Sequence, residues 1–207
     1  MDEKLHRSFI AIFPTSHVLE KLLSIQGELK KITGTSDRGK DGNGKIRWEK
    51  ENKFHFTIQF WGDQTEEWIN TIHQEISKEC SVIKKFHIHI TKVGCFPNRY
   101  SPKIFWIGSE VNENPELISF SSTLHAITKQ AGFEPETKPF HPHITIGRGK
   151  GKIQSALIQK LETVTFHPLE FQCSELRIMK SMLAQSGSTY TTLFTIPLQP
   201  QETYGRR

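Results

Sequence analysis

Apolar and polar residues alternate in several short stretches of this 207-residue chain, and between them apolar residues recur at helical spacing. Arg7-Ser-Phe-Ile-Ala-Ile-Phe13 reads as a strand. Pro14-Thr15-Ser16 opens a helix to about residue 32, with Val18, Leu19, Leu22, Leu23, Ile25 and Leu29 as its apolar positions. In Phe54-His-Phe-Thr-Ile-Gln-Phe60 the alternation is strict. Phe54, Phe56, Ile58 and Phe60 are predicted on one face, and His55, Thr57 and Gln59 on the other. A helix over 65–80 and a strand over 86–93 follow, the strand ended by Gly94-Cys-Phe-Pro97. The order then recurs: strand 103–108, helix 115–131, strand 141–147, helix 153–163 and strand 166–172. In strand 141–147, Ile144 and Ile146 oppose His143 and Thr145. Final strands near 175–183 and 189–197 pair back into a sheet. The pattern predicts an α+β class and an internally duplicated, bilobal fold, with two antiparallel sheets facing a central groove and helices on the outside. Residues 1–207 form a single two-lobed domain with pseudo-repeats at about 7–97 and 103–183. Residues 33–45 read as a polar, glycine-rich loop, and 198–207 as a flexible tail.

Composition narrows the class. Hydrophobic content of 35% and charged content of 24% fit a soluble globular chain. No apolar run approaches the ~20 residues of a membrane helix, and the first residues lack the apolar stretch of a signal peptide. No membrane partner, a cytoplasmic location and a monomer are expected. Cys80, Cys95 and Cys173 are an odd number without a Cys-x-x-Cys pair, and read as free thiols in a reducing compartment. The net charge of +5 leans modestly toward polyanionic partners.

The candidate chemistry lies in a tripeptide pattern written twice, His55-Phe56-Thr57 and His143-Ile144-Thr145. Each copy sets an imidazole and a hydroxyl side by side, roughly 6.5 Å apart along a strand. Two such pairs facing one another supply two proton-transfer groups and two hydroxyl donors around one anion, which suits phosphoester chemistry without a metal. An unperturbed histidine pKa near 6.5 allows either ring to act as acid or base, so the residues alone leave the direction open.

Other features compete. His89-Ile90-Thr91, preceded by His87, lies outside the repeated order and touches substrate only if its strand joins the same sheet. Gly39-Lys-Asp-Gly-Asn-Gly-Lys45 nearly matches a phosphate-binding loop. Ile46 replaces the hydroxyl that would hold magnesium, so it reads as a loop with Lys40 and Lys45 near substrate. His87 with His89, or His141 with His143, give two same-face ligands and no carboxylate cluster, so no metal site is expected. Phe96 and Trp106 are candidate base stackers, and Arg47, Trp48, Arg99 and Arg177 further candidates for the groove.

With these residues in place, the chain resembles the two-histidine phosphoesterases, above all the bacterial and archaeal RNA 2′,3′-cyclic phosphodiesterases, long called 2′-5′ RNA ligases. The resemblance runs through Arg7-Ser-Phe-Ile-Ala-Ile12, Phe54-His-Phe-Thr-Ile-Gln-Phe-Trp-Gly62, Gly94-Cys-Phe-Pro97, Phe105-Trp-Ile-Gly108, Phe140-His-Pro-His-Ile-Thr-Ile-Gly-Arg148, Glu175–Ser181 and Gly187–Tyr190. It implies hydrolysis of a ribose 2′,3′-cyclic phosphate to a 2′-phosphate end, without metal or other cofactor, and a reversible 2′-5′ ligation in which a 5′-hydroxyl joins the cyclic phosphate. It also implies His55 as proton donor, His143 as proton acceptor, Thr57 and Thr145 as catalytic hydroxyls, and Arg148, Phe96 and His141 as substrate-binding residues. RNA ends are the implied substrate. A small cyclic phosphate, such as ADP-ribose 1″,2″-cyclic phosphate or a cyclic nucleotide, is the alternative on the same fold. A non-catalytic module holding RNA ends is the alternative from another class.

Overall fold

Each stretch of alternation becomes a strand, and each stretch of helical spacing a helix on one side of the sheet. The computed structural model describes residues 4–34, 45–134, 138–153, 155–184 and 187–200. The glycine-rich stretch with Lys40 and the tail beyond residue 200 lie outside the described residues. In chain order the elements are β1 (Leu5–Ile12), α1 (Ser16–Thr33), β2 (Lys45–Trp48), β3 (Phe56–Thr65), α2 (Glu66–Cys80), β4 (Phe86–Ile90), β5 (Lys92–Phe96) and β6 (Ile104–Gly108). Then follow α3 (Pro115–Gln130), β7 (His143–Lys150), α4 (Ser155–Glu162), β8 (Leu169–Cys173), β9 (Glu175–Ala184) and β10 (Gly187–Pro197).

The class is α+β with two antiparallel sheets, as expected. The partition of strands between them differs. An eight-stranded sheet runs β10-β9-β1-β3-β7-β6-β5 with β2 also paired to β7, and β4 with β8 forms a separate two-stranded sheet. The two halves of the large sheet meet only where Phe56 of β3 pairs with Ile144 of β7. The groove therefore opens along a seam in one sheet, where the two halves splay apart.

Helix α2 illustrates the helices. Thr65 caps it by accepting a hydrogen bond from Trp68 N at 3.1 Å, and Glu66 and Glu67 favour the positive N-terminus. Ile69, Ile72, Ile76 and Cys80 recur three and four apart and are fully buried. Each isoleucine contributes roughly 1.5–3 kcal/mol on burial. They join one core with Leu22, Leu29, Leu117 and Leu124 of other helices and with Ile10, Ile12, Phe56, Ile58, Ile144 and Ile146 of the sheet. The opposite face of β1 and β9 holds a small cluster of Phe9, Ala11 and Met179, flanked by Phe13 and Tyr190. That face is the one left open.

Two local expectations change. Residues 86–93 are the end of one strand and the start of another: β4 pairs with β8, and β5 pairs with β6. Gly94 lies within β5 and does not end it. Its missing side chain makes room for the Trp106 ring, which a Cβ there would meet at 2.1 Å. Strand β2, at the edge of the expected loop, went unseen because four residues are too few to display a period.

Candidate active site

The two His-x-Thr segments lie side by side at the seam. Antiparallel register about the Phe56–Ile144 pair sets His55 beside Thr145 and Thr57 beside His143. Each strand then carries a β-bulge at the same distance past its histidine. In β3, Ala11 pairs with Thr57 and Ile10 with Gln59, so Ile58 is the extra residue. In β7, Trp106 pairs with Thr145 and Phe105 with Gly147, so Ile146 is extra. Both bulged isoleucines are buried in the helix-side core, which holds the kink in place.

The bulges change which side chains reach the site. Strict alternation sets Gln59 beside Thr57 and turns Phe60 away. Instead Gln59 is buried on the helix side, donating to Thr128 Oγ1 of α3 at 2.9 Å and accepting from Trp61 Nε1 at 3.0 Å. Phe60 and Arg148, each five residues past a histidine, turn onto the histidine face. Gly108 seats the second motif: it pairs with His143, and a Cβ there would stand 2.1 Å from the Pro142 carbonyl oxygen and 2.9 Å from His143 Cα.

His55, Thr57, His143, Thr145 and Arg148 line one cavity of about 310 Å³. Sequence reasoning missed several of its other walls: Arg7, Phe9, Glu49, Lys53, Phe60 and Tyr190. Glu49, just past β2, is 7% exposed and sits among three cations. Its Oε1 accepts from Arg148 Nε at 2.8 Å and lies 3.8 Å from Arg47 Nη2, while its Oε2 is 3.4 Å from Lys53 Nζ. The Glu49 backbone N–H donates to the carbonyl of the bulged Ile146 at 2.9 Å. Buried Gln26 of α1 donates to both the Glu49 and Ile146 carbonyls at 2.9 Å, tying helix, strand end and bulge together. No local signal picks out Glu49, since Glu51 shares the same stretch of Arg47, Lys50 and Lys53 just ahead of the first motif.

His143 Nδ1 donates to the His141 carbonyl at 2.8 Å, which fixes the neutral tautomer and leaves Nε2 as a bare acceptor. The His55 ring stacks on Phe9 at 5.1 Å, lies tilted to Phe13 at 5.4 Å and meets Tyr190 edge-on at 5.3 Å. Burial in this aromatic box pulls its pKa down to about 4. The Lys53 backbone and the charge of Glu49 oppose the shift, and the positive charges of His143 and Arg148 add to it. His143 is also lowered, mainly by burial and further by His141 and Arg148. Burial raises Tyr190, against the pull of Arg148.

The remaining candidates fall elsewhere. Phe96 and His141 are not among the cavity's lining residues. Phe96 meets the His143 ring edge-on at 5.0 Å and His141 packs on Trp106 at 4.8 Å, so together they buttress His143. Trp48 and Trp106 are buried. Arg177 lies over Phe13 and pairs with Glu175. Arg99 lies over the exposed Tyr100. His87 and His89 share Glu170 on the two-stranded sheet, so their strand does not join the site. Among the described residues no group of three histidine, cysteine or acidic side chains converges as metal ligands.

The profile of the 2′-5′ RNA ligase superfamily matches residues 52–183, a span that contains both motifs. The chain belongs to that superfamily. An Archaeoglobus fulgidus relative named RNA 2′,3′-cyclic phosphodiesterase is 31% identical over 90% of this chain and 97% of its own length. Relatives of the same name from Aquifex aeolicus and Thermotoga maritima are 30% and 29% identical over 92% and 91% of the chain. Among solved structures, a Thermus thermophilus protein superposes with a TM-score of 0.72 at 21% identity, over 94% of this chain and 99% of that one. Escherichia coli LigT complexed with 3′-AMP gives 0.69 at 19%, again over 94% and 99%. At that identity the likeness to these solved structures is one of fold alone.

Proposed function

We propose that this superfamily member hydrolyses RNA 2′,3′-cyclic phosphate ends to 2′-phosphate ends without a metal. The observation that carries the reading is the meeting of both His-x-Thr pairs and Arg148 in one cavity. His143 Nε2 takes a proton from water as the water oxygen bonds to phosphorus. The bond from phosphorus to the ribose 3′-oxygen breaks, and His55 gives its proton to that oxygen, leaving a 2′-phosphate and a 3′-hydroxyl. The fixed tautomer of His143 supports its role as base. His55 is neutral in the free protein at pH 7, and the bound phosphate's negative charge raises its pKa toward the protonated form that an acid requires. Thr57 and Thr145 donate to the non-bridging oxygens. With Nε held by Glu49, Arg148 keeps its terminal nitrogens for the same oxygens. The same displacement with a 5′-hydroxyl in place of water gives 2′-5′ ligation, which abundant water keeps minor.

The test is turnover of an oligonucleotide ending in a 2′,3′-cyclic phosphate, in EDTA, with the product end identified. A 2′-phosphate is expected, and His55→Ala or His143→Ala should each cost about 10²–10⁴-fold. No turnover, or activity that survives both substitutions, removes the reading.

A further inference from the structure

The charge around Glu49 exceeds what a single cyclic phosphate requires. Arg47 of β2 pairs directly with Arg148 of β7, so two guanidinium side chains leave neighbouring strands on one face. Like charges placed so repel one another, and Lys53 adds a third cation. Glu49 is the carboxylate that all three share, which leaves two positive charges on the cluster. A cyclic phosphodiester carries one negative charge, and Arg148, on the strand of His143 and Thr145, is the cation set to meet it. One positive charge remains, on the side of Arg47 and Lys53.

The backbone on that side leaves space beside those cations. Gly187, at φ +112°, brings β10 alongside them: a Cβ there would stand 3.3 Å from Lys53 Nζ and 3.9 Å from Arg47 Nη1. A side chain at this position would be strained and would press on the Lys53 ammonium, with the Arg47 guanidinium at contact distance. Ser188 follows as a hydroxyl in the cavity wall. Arg47 is 60% exposed at its side chain and Lys53 17%, so the pair runs from the cavity's interior to its mouth. The opposite wall is different in kind. Phe60, at the bulge position equivalent to Arg148, has the Arg7 guanidinium 4.7 Å from its ring centroid. The cavity thus has one wall of cations gathered on Glu49 and another where Arg7 stacks on Phe60.

We propose that Arg47 and Lys53, beside Gly187 and Ser188, form a second phosphate subsite that takes the phosphodiester preceding the cyclic end. The preferred substrate is then an RNA end of two or more nucleotides. This rests on the function proposed above and adds to it a substrate length and the residues that read it.

The experiment compares kcat/KM for three substrates: a dinucleotide ending in a 2′,3′-cyclic phosphate, the corresponding 2′,3′-cyclic mononucleotide with a free 5′-hydroxyl, and the dinucleotide with a neutral methylphosphonate linkage. The dinucleotide should be preferred roughly tenfold or more, as charge-assisted hydrogen bonds allow. The methylphosphonate should lose that preference, and so should rising salt. In Arg47→Gln and Lys53→Met the ratio of dinucleotide to mononucleotide should fall toward one, with melting curves confirming that the variants fold. A wild-type ratio near one overturns the subsite, as does a preference that survives the neutral linkage or both substitutions. Failure to turn over any of the three overturns the proposed function itself, which separates the two outcomes.

Discussion

Arg148 acts on both histidines and, in the proposed mechanism, on substrate as well. Its charge lowers the pKa of His55 and of His143, on top of the larger effect of burial. The working state requires one ring protonated and the other neutral, and both pKa values lie below 6.5 in the free protein. The bell in kcat/KM is therefore expected to centre on the acid side of pH 6.5. Arg148→Gln should lower kcat by about 10²–10³-fold through lost stabilisation of the phosphoryl oxygens. The same substitution should move both limbs of the bell to higher pH, because a repelling charge has gone. A pH–rate series on both proteins checks it. A lower rate with unmoved limbs would limit Arg148 to substrate contact.

The bulges are the element-scale device. Without Ile58 and Ile146 as extra residues, strict alternation would turn Arg148 and Phe60 away from the histidines. Period 2 located His55, Thr57, His143 and Thr145, because each pair is only two residues apart and no bulge falls within it. It failed at Gln59, one residue past a bulge that turns its side chain to the helix side, where the buried Thr128 accepts from the amide. The walls contributed by Glu49, Lys53 and Tyr190 were illegible for another reason. Glu49 and Tyr190 reach the cavity through strand pairings far apart in sequence, Lys53 through the short 3₁₀ turn Glu51–Lys53, and no period marks any of them. The seating of β7 on β6 is testable at Gly108. In Gly108→Ala the new Cβ meets backbone atoms, the Pro142 oxygen and His143 Cα, which cannot rotate away. Spreading of the two strands should cost about 1–3 kcal/mol in chemical denaturation. Turnover should fall further than stability, since His143 moves with its strand.

At the scale of the whole molecule, the cost of a cavity lined with buried histidines is a dependence of stability on pH. His55 is held to a pKa of about 4 in the folded chain and returns to about 6.5 on unfolding. Above pH 6.5 both states are neutral and the group contributes nothing to the pH dependence. Between 6.5 and 4 the unfolded chain binds a proton that the folded one refuses, so stability falls as pH falls. The full shift corresponds to a loss on the order of 3 kcal/mol by pH 4. That figure is an upper bound, because part of the ring opens onto the cavity. His143 and His141 are lowered as well and act in the same direction. In His55→Phe, which keeps the aromatic box filled, the slope of unfolding free energy against pH should flatten between 6.5 and 4. Urea titrations at several pH values measure that slope, and an unchanged slope in the variant would mean that His55 is protonated as readily in the folded chain as in the unfolded one.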